Sequence, residues 1–188
     1  GGAVVTGLFV YPVKSCRAVP LARAAIGPHG FRWDRQWMVV DAESGRMVTQ
    51  RSDRVLATVA VAMPPEALDP GKAEPPGDSV AMTLSCDRAH GPLDVPLCRR
   101  EGAGVRRASV WEWSGEAADE GDACAAWFTQ VVGRPVRLVR FLGEAWGGVE
   151  RAVDPSFAPA GHSTAFSDGF PYLLAVEESL AALGSGGG

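Results

Sequence analysis

Short apolar runs, each broken by Gly, Pro or Asp, dominate the first half of the chain: residues 4–11, 22–26, 36–41, 46–50 and 55–62. Runs of this length, closed by turn-forming residues, predict strands rather than helices. Ala42-Glu43-Ser44-Gly45, short and ending in Gly, predicts a hairpin loop between two of them. Strands resume at 80–85, 105–113 and 137–141. One segment has the helical period instead. In Asp122–Val132, Cys124, Trp127, Phe128, Val131 and Val132 fall at i, i+3, i+4, i+7 and i+8, so one face is apolar. Gly133 suits the position just beyond the helix, and Pro135 prevents its continuation. Repeated short strands with a single main helix predict an α+β, β-rich fold built on a small barrel.

Some segments lack either period. Residues 64–78 are rich in Pro, Gly and acidic residues and predict an exposed, mobile loop. Residues 142–163 predict irregular structure. After them, 172–176 reads as a buried strand and 178–183 as the start of a helix, marginal unless packed because it is so short.

Composition narrows the function classes. Of 188 residues, 46% are hydrophobic, which fits a globular chain, and no run is long and uncharged enough to suggest a transmembrane segment. A net charge of −4 with no basic stripe argues against nucleic acid as the main partner. Cys16, Cys86, Cys98 and Cys124 lie far apart, with no Cys-x-x-Cys pair, so zinc and redox signatures are missing and reduced thiols are expected. His29, His90 and His162 form no metal spacing or triad. No catalytic residue and no metal ligand is assigned.

The candidate chemistry lies in Tyr11-Pro12-Val13-Lys14-Ser15-Cys16 and Asp34-Arg35-Gln36-Trp37. Each puts a cation at the end of a strand-like run. A lone cation there is usually a solvated rim residue. Two of them with a hydroxyl suit an oxyanion, Arg as a planar fork of donors and Lys as a point charge. Asp34 and Arg35, as neighbours on an extended strand, are expected to point to opposite faces. Trp37 and Cys124 are expected in the core.

These two stretches, with Gly27-Pro28-His29-Gly30-Phe31, Thr49-Gln50-Arg51, Trp127-Phe128 and Gly133-Arg134-Pro135-Val136-Arg137-Leu138-Val139-Arg140, resemble the N-terminal β-barrel of MOSC proteins. Phe166-Ser167-Asp168-Gly169-Phe170-Pro171-Tyr172-Leu173-Leu174 and Glu178-Ser179-Leu180 resemble the opening of the MOSC domain itself. The family includes mitochondrial amidoxime-reducing components and the C-terminal domain of molybdenum cofactor sulfurases. The resemblance implies an N-terminal barrel domain over residues 3–142 and the start of an incomplete MOSC β-barrel domain over 143–188. It also implies a molybdenum cofactor (molybdenum–molybdopterin) held by Lys14, Ser15 and Arg35, with Gly169 and Phe170 at further contacting positions. Gly169 could offer only backbone where relatives carry hydroxyls.

Three functions follow from the resemblance. The first is an oxidoreductase of the amidoxime-reducing type, acting on small N-hydroxylated substrates with a cytochrome b5-type electron donor in mitochondria or cytoplasm. The second is a sulfur-carrying, cofactor-maturing module like the sulfurase domain, through whose desulfurase fusions the family is associated with pyridoxal phosphate. The third is a non-catalytic, anion-binding barrel. The family's Arg-Pro-Asn segment and its molybdenum-binding Cys have no counterpart here, and Cys16 matches an ordinary cysteine of the motif. The expectation is therefore an N-terminal fragment with part of a site and no turnover alone.

Overall fold

The computed structural model describes residues 2–72, 77, 79–99 and 102–185. In chain order, β1 (Leu8–Val10) pairs antiparallel with β2 (Val19–Leu21), and β3 (Ile26–Gly27) with β4 (Gly30–Phe31). β5 (Trp37–Asp41) follows, and β6 (Ala60–Ala62) comes after a 3₁₀ turn at Arg54–Thr58. β7 (Ala81–Ser85) and β8 (Leu93–Pro96) complete a three-stranded sheet in the order β6-β7-β8. β9 (Val105–Val110), β10 (Trp113–Asp119) and β11 (Val136–Phe141) join β5 in a four-stranded sheet ordered β5-β11-β10-β9. A last pair, β12 (Arg151–Ala152) and β13 (Ser163–Thr164), lies beyond it. The fold is β-rich with few helices, as the strand spacing implies.

The central strands are covered on both faces, which explains their unbroken apolar runs. Along β5, Trp37 and Val39 enter one core cluster while Met38 and Val40 enter a second. β11 divides likewise, Val136 and Leu138 against Val139 and Phe141. The main helix, Asp122–Val132, buries Cys124, Trp127, Phe128 and Val131 in the first cluster. It ends on Gly133, whose φ of +85° places it in the left-handed region while its N–H closes on the Thr129 carbonyl at 2.8 Å. The second cluster is finished by Ala165 and Phe166, far along the chain.

A buried ion pair joins the two sheets. Arg140, beside Trp37 in the β5–β11 register, donates to Glu120 at 2.6 Å and to the carbonyls of Leu97 and Pro96 at 2.7 and 2.5 Å. Trp37 Nε1 donates to the same Glu120 oxygen at 2.7 Å, and the guanidinium lies 4.7 Å from the indole centroid. No helix among the described residues is long and apolar enough to cross a membrane.

Several local expectations are corrected. The 64–78 stretch begins with a helical turn, Pro65–Leu68, whose Ala67 is buried; Trp33 donates to its carbonyl at 2.8 Å, and Arg32 clasps the carbonyls of Asp69 and Lys72. Packing thus outweighs composition there, while residues 73–76 and 78 lie outside the described residues. The 172–176 run is not a buried strand: Leu173 and Leu174 are 83% and 89% exposed. A strand needs a ladder partner, and among the described residues none pairs with it. The helix after it, Glu177–Ser185, is correspondingly uncovered, with Leu180 and Leu183 exposed. Part of the 55–62 run is 3₁₀ helix, and in 46–50 only isolated bridges from Arg46 and Met47 form.

Candidate functional site

Backbone pairing brings the two cation-bearing stretches together. Val13 bridges Trp37 in parallel, with Lys14 N–H on the Trp37 carbonyl at 2.8 Å and Trp37 N–H on the Pro12 carbonyl at 3.0 Å. Arg35 N–H reaches the Tyr11 carbonyl at 2.8 Å. The turn into β5 is not extended: Trp33 and Arg35 have φ of +71° and +48°, and Ser15 on the facing stretch has +70°. Side chains seldom occupy this region, and such backbone strain gathers at functional sites. It also corrects the expectation for Asp34. Because the backbone curls instead of running flat, Asp34 and Arg35 lie side by side and form an ion pair.

Asp34 is 1% exposed and fastens this corner, accepting the Tyr11 N–H at 2.8 Å with its other oxygen. Burial pushes its carboxyl up, against the pull of Arg35, the Tyr11 amide and Lys14. The Arg35 guanidinium lies over the Tyr11 ring, 4.5 Å from its centroid, within cation–π range.

Lys14 is the buried cation, 6% exposed. Its ammonium donates to the Phe166 carbonyl at 2.8 Å and to Asp168 Oδ1 at 2.7 Å. Burial lowers its pKa, Asp168 opposes the shift, and the like charges of Arg151 and Arg35 add to it. The 165–168 strap that meets Lys14 is held from behind by buried Arg151, which donates to the Ala165, Ser167 and Asp168 carbonyls. Phe166 N–H returns to the Arg35 carbonyl at 3.0 Å, so the strap touches both cation-bearing stretches.

The other sequence candidates are arranged differently. Gly169 directly follows the strap, is exposed, and has no heavy atom near where a Cβ would stand. Phe170 turns its ring edge-on to Phe157 at 5.7 Å. Cys16 is buried in the core, where burial pushes its thiol up, so it offers no ready thiolate. Sequence reasoning missed Asp168 as the partner of Lys14, quoted Arg51 only within the Thr49-Gln50-Arg51 motif, and gave Arg151 and Trp111 no place at the site. Asp168 stood only within the motif Phe166–Leu174, Trp111 fell inside the 105–113 strand run, and nothing local marks Arg151 within its irregular segment.

The profile of the MOSC N-terminal beta barrel domain matches residues 2–135, well over half of the chain. The chain belongs to the MOSC N-terminal β-barrel family. Among curated relatives, mitochondrial amidoxime-reducing component 1 of Homo sapiens is 31% identical over 186 residues, covering 96% of this chain and 50% of that protein. Molybdenum cofactor sulfurase of Danio rerio is 30% identical over 138 residues, 72% of this chain and 15% of that protein. A solution structure of a Bordetella bronchiseptica protein aligns with a TM-score of 0.45 at 20% identity, over 65% of this chain and 80% of that one. The chain spans about half the length of the amidoxime-reducing relatives it matches.

The carboxylates of this MOSC-family chain set its acid stability. Burial works against Asp119, yet hydrogen bonds from Arg137, the Gly121 amide and Arg106 hold it below its ordinary range. Asp168 and Glu150 are also held down, despite burial, by Lys14 and by the Glu144 amide with His29 respectively. Folded values below unfolded ones mean that this stabilisation is complete above about pH 4.5 and is lost as pH falls through the lower folded values. Asp34, shifted upward, acts in the opposite sense. The urea midpoint should therefore fall on acidification from about pH 4.5 to 3, less steeply in Asp119→Ala. A midpoint that is level or rises over that range contradicts the assignment.

Proposed function

We propose that this protein binds molybdenum–molybdopterin and serves an oxidoreductase of the amidoxime-reducing type, acting on N-hydroxylated compounds. One observation carries the proposal: the stretches bearing Lys14 and Arg35 are bridged backbone to backbone, close enough for the two charges to act on each other, in a chain of the MOSC N-terminal family. The donor set fits the anionic end of the cofactor. A buried ammonium and a partly exposed guanidinium suit charge-assisted bonds to a phosphate, and Ser15 adds a hydroxyl on a strained turn. Gly169 and Phe170, next in the chain after the strap, would contribute backbone and ring. Residues 3–142 form the barrel domain, and 143–188 open a second unit whose strap closes the site.

The length of the matches favours the reductase over the sulfurase module. Amidoxime-reducing components align over 95–97% of this chain, a span that includes the strap, whereas sulfurases align over 72–74%. When bound, the cofactor supplies the two-electron chemistry that turns an N–OH group and two protons into N–H and water, with electrons from a cytochrome b5-type donor. The chain's own residues bind and orient: Lys14, Ser15 and Arg35 grip the anionic end, Asp34 and Tyr11 fix Arg35, and Arg151 holds the strap.

Purification from a molybdopterin-producing host, followed by pterin quantification and a sulfur-transfer assay, tests the proposal. Co-purifying molybdopterin is expected, and its absence would refute cofactor binding. A pterin-loaded protein that transfers sulfur would overturn the reductase in favour of the sulfurase module.

A further inference from the structure

Lys14 and Arg35 do not complete the cationic corner. Asp168 Oδ1, which accepts from Lys14 Nζ at 2.7 Å, also accepts from the Trp111 indole N–H at 3.3 Å. Arg51 lies over that indole, 5.4 Å from its ring centroid, and its charge acts on Asp168. Trp111 is the first residue of the two-residue turn between β9 and β10, since Val110 and Trp113 face each other in register. Its φ is +51°, in a position that glycine usually fills. A tryptophan held there against its backbone preference, with its N–H aimed at the partner of Lys14, points to a binding role.

We propose that Arg51 and Trp111 form a second wall of the anion site, and that Asp168 occupies the seat as an internal counter-anion which an incoming phosphate group displaces. Three observations support it. The Asp168 side chain is 68% exposed, so its carboxylate can leave without uncovering a core. Its backbone is anchored separately by Arg151 on the Ser167 and Asp168 carbonyls, so a change of side-chain rotamer alone vacates the seat. Finally, among the described residues, the charges of Lys14, Arg35, Arg51 and Arg151 gather around Asp34 and Asp168, with Glu112 acting on Arg151, a cationic setting for an added anion. A phosphate oxygen in place of Oδ1 would inherit the Lys14 and Trp111 donors and bring a further charge toward Arg51.

The inference deepens the cofactor proposal but needs only a phosphate group, whether free or carried on a pterin. The test is titration of the full chain with inorganic phosphate at low ionic strength, where screening is weak, followed by tryptophan fluorescence and calorimetry. Trp111→Phe identifies the indole's share of the optical signal. Asp168→Asn, which keeps the shape and removes the competing charge, should bind phosphate about tenfold more tightly, and Arg51→Ala about tenfold more weakly. Arg88→Ala, exposed in the turn between β7 and β8, should match the wild type. If Asp168→Asn loses its near-UV circular dichroism, Asp168→Ala takes its place in the comparison. Unchanged or weaker binding in the Asp168 variant, wild-type affinity in Arg51→Ala, or no saturable phosphate binding in any form would overturn the inference. The expected pattern in a protein that takes up no molybdopterin would leave this site standing and remove the cofactor proposal. Molybdopterin uptake by a protein whose phosphate affinity is unchanged in both variants would do the reverse.

Discussion

Glu120→Leu and Arg140→Met should each destabilise the protein by about 3–5 kcal/mol, since truncating one member of a buried ion pair strands the other charge. Both residues are buried, and Arg140 holds the carbonyls of Pro96 and Leu97 as well as Glu120. Removing Arg140 leaves a carboxylate and two carbonyls short of a donor. Removing Glu120 leaves the guanidinium with neutral partners and the Trp37 indole N–H without its acceptor. The double variant should cost clearly less than the sum of the singles, because no charge is then left alone. Urea denaturation of all four proteins checks this. Additive effects would mean that the two residues act independently, against the observed bond.

The second large effect is at Asp34. Asp34→Ala should cost about 2–4 kcal/mol, because it orphans the Tyr11 amide and frees the Arg35 guanidinium at once. Arg35→Ala should also destabilise, since it strands the buried Asp34 carboxylate, but by less, because the Tyr11 N–H still bonds that carboxylate and the Lys14 charge still acts on it. The asymmetry is the informative part: it is the result expected if Asp34 supports the corner while Arg35 is kept for the proposed ligand. Equal losses of stability in the two variants would assign Arg35 to structure instead.

How much of this was legible in the sequence varied with the range of the forces involved. The Asp122–Val132 helix was fully legible, because its apolar period, Gly133 and Pro135 are all local. β5 and β11 were legible because burial on both faces leaves unbroken apolar runs. β10 was not: Trp113-Ser114-Gly115-Glu116-Ala117-Ala118-Asp119 has little intrinsic strand preference and is held by neighbours on both sides. The 172–176 run misled in the other direction, being apolar enough for a buried strand but without a ladder partner among the described residues. At the site, the cations of Lys14 and Arg35 could be read from their places at the ends of apolar runs. Their partners could not, since Asp168 and Phe166 meet Lys14 from more than 150 residues away. Nor did any pattern announce the left-handed backbone that lets Asp34 hold Arg35.

The central claim is that Lys14 and Arg35 grip the anionic end of a molybdenum cofactor. It is tested most directly by molybdopterin content per polypeptide, measured on folded wild type, Lys14→Met, Arg35→Ala and Arg88→Ala purified from one cofactor-limited host. Each lost charge-assisted contact is worth about 1.5–3 kcal/mol, roughly ten- to a hundredfold in affinity. The predicted result is near-background pterin in Lys14→Met, a strong reduction in Arg35→Ala and wild-type content in Arg88→Ala. Equal molybdopterin in all four proteins would contradict the account.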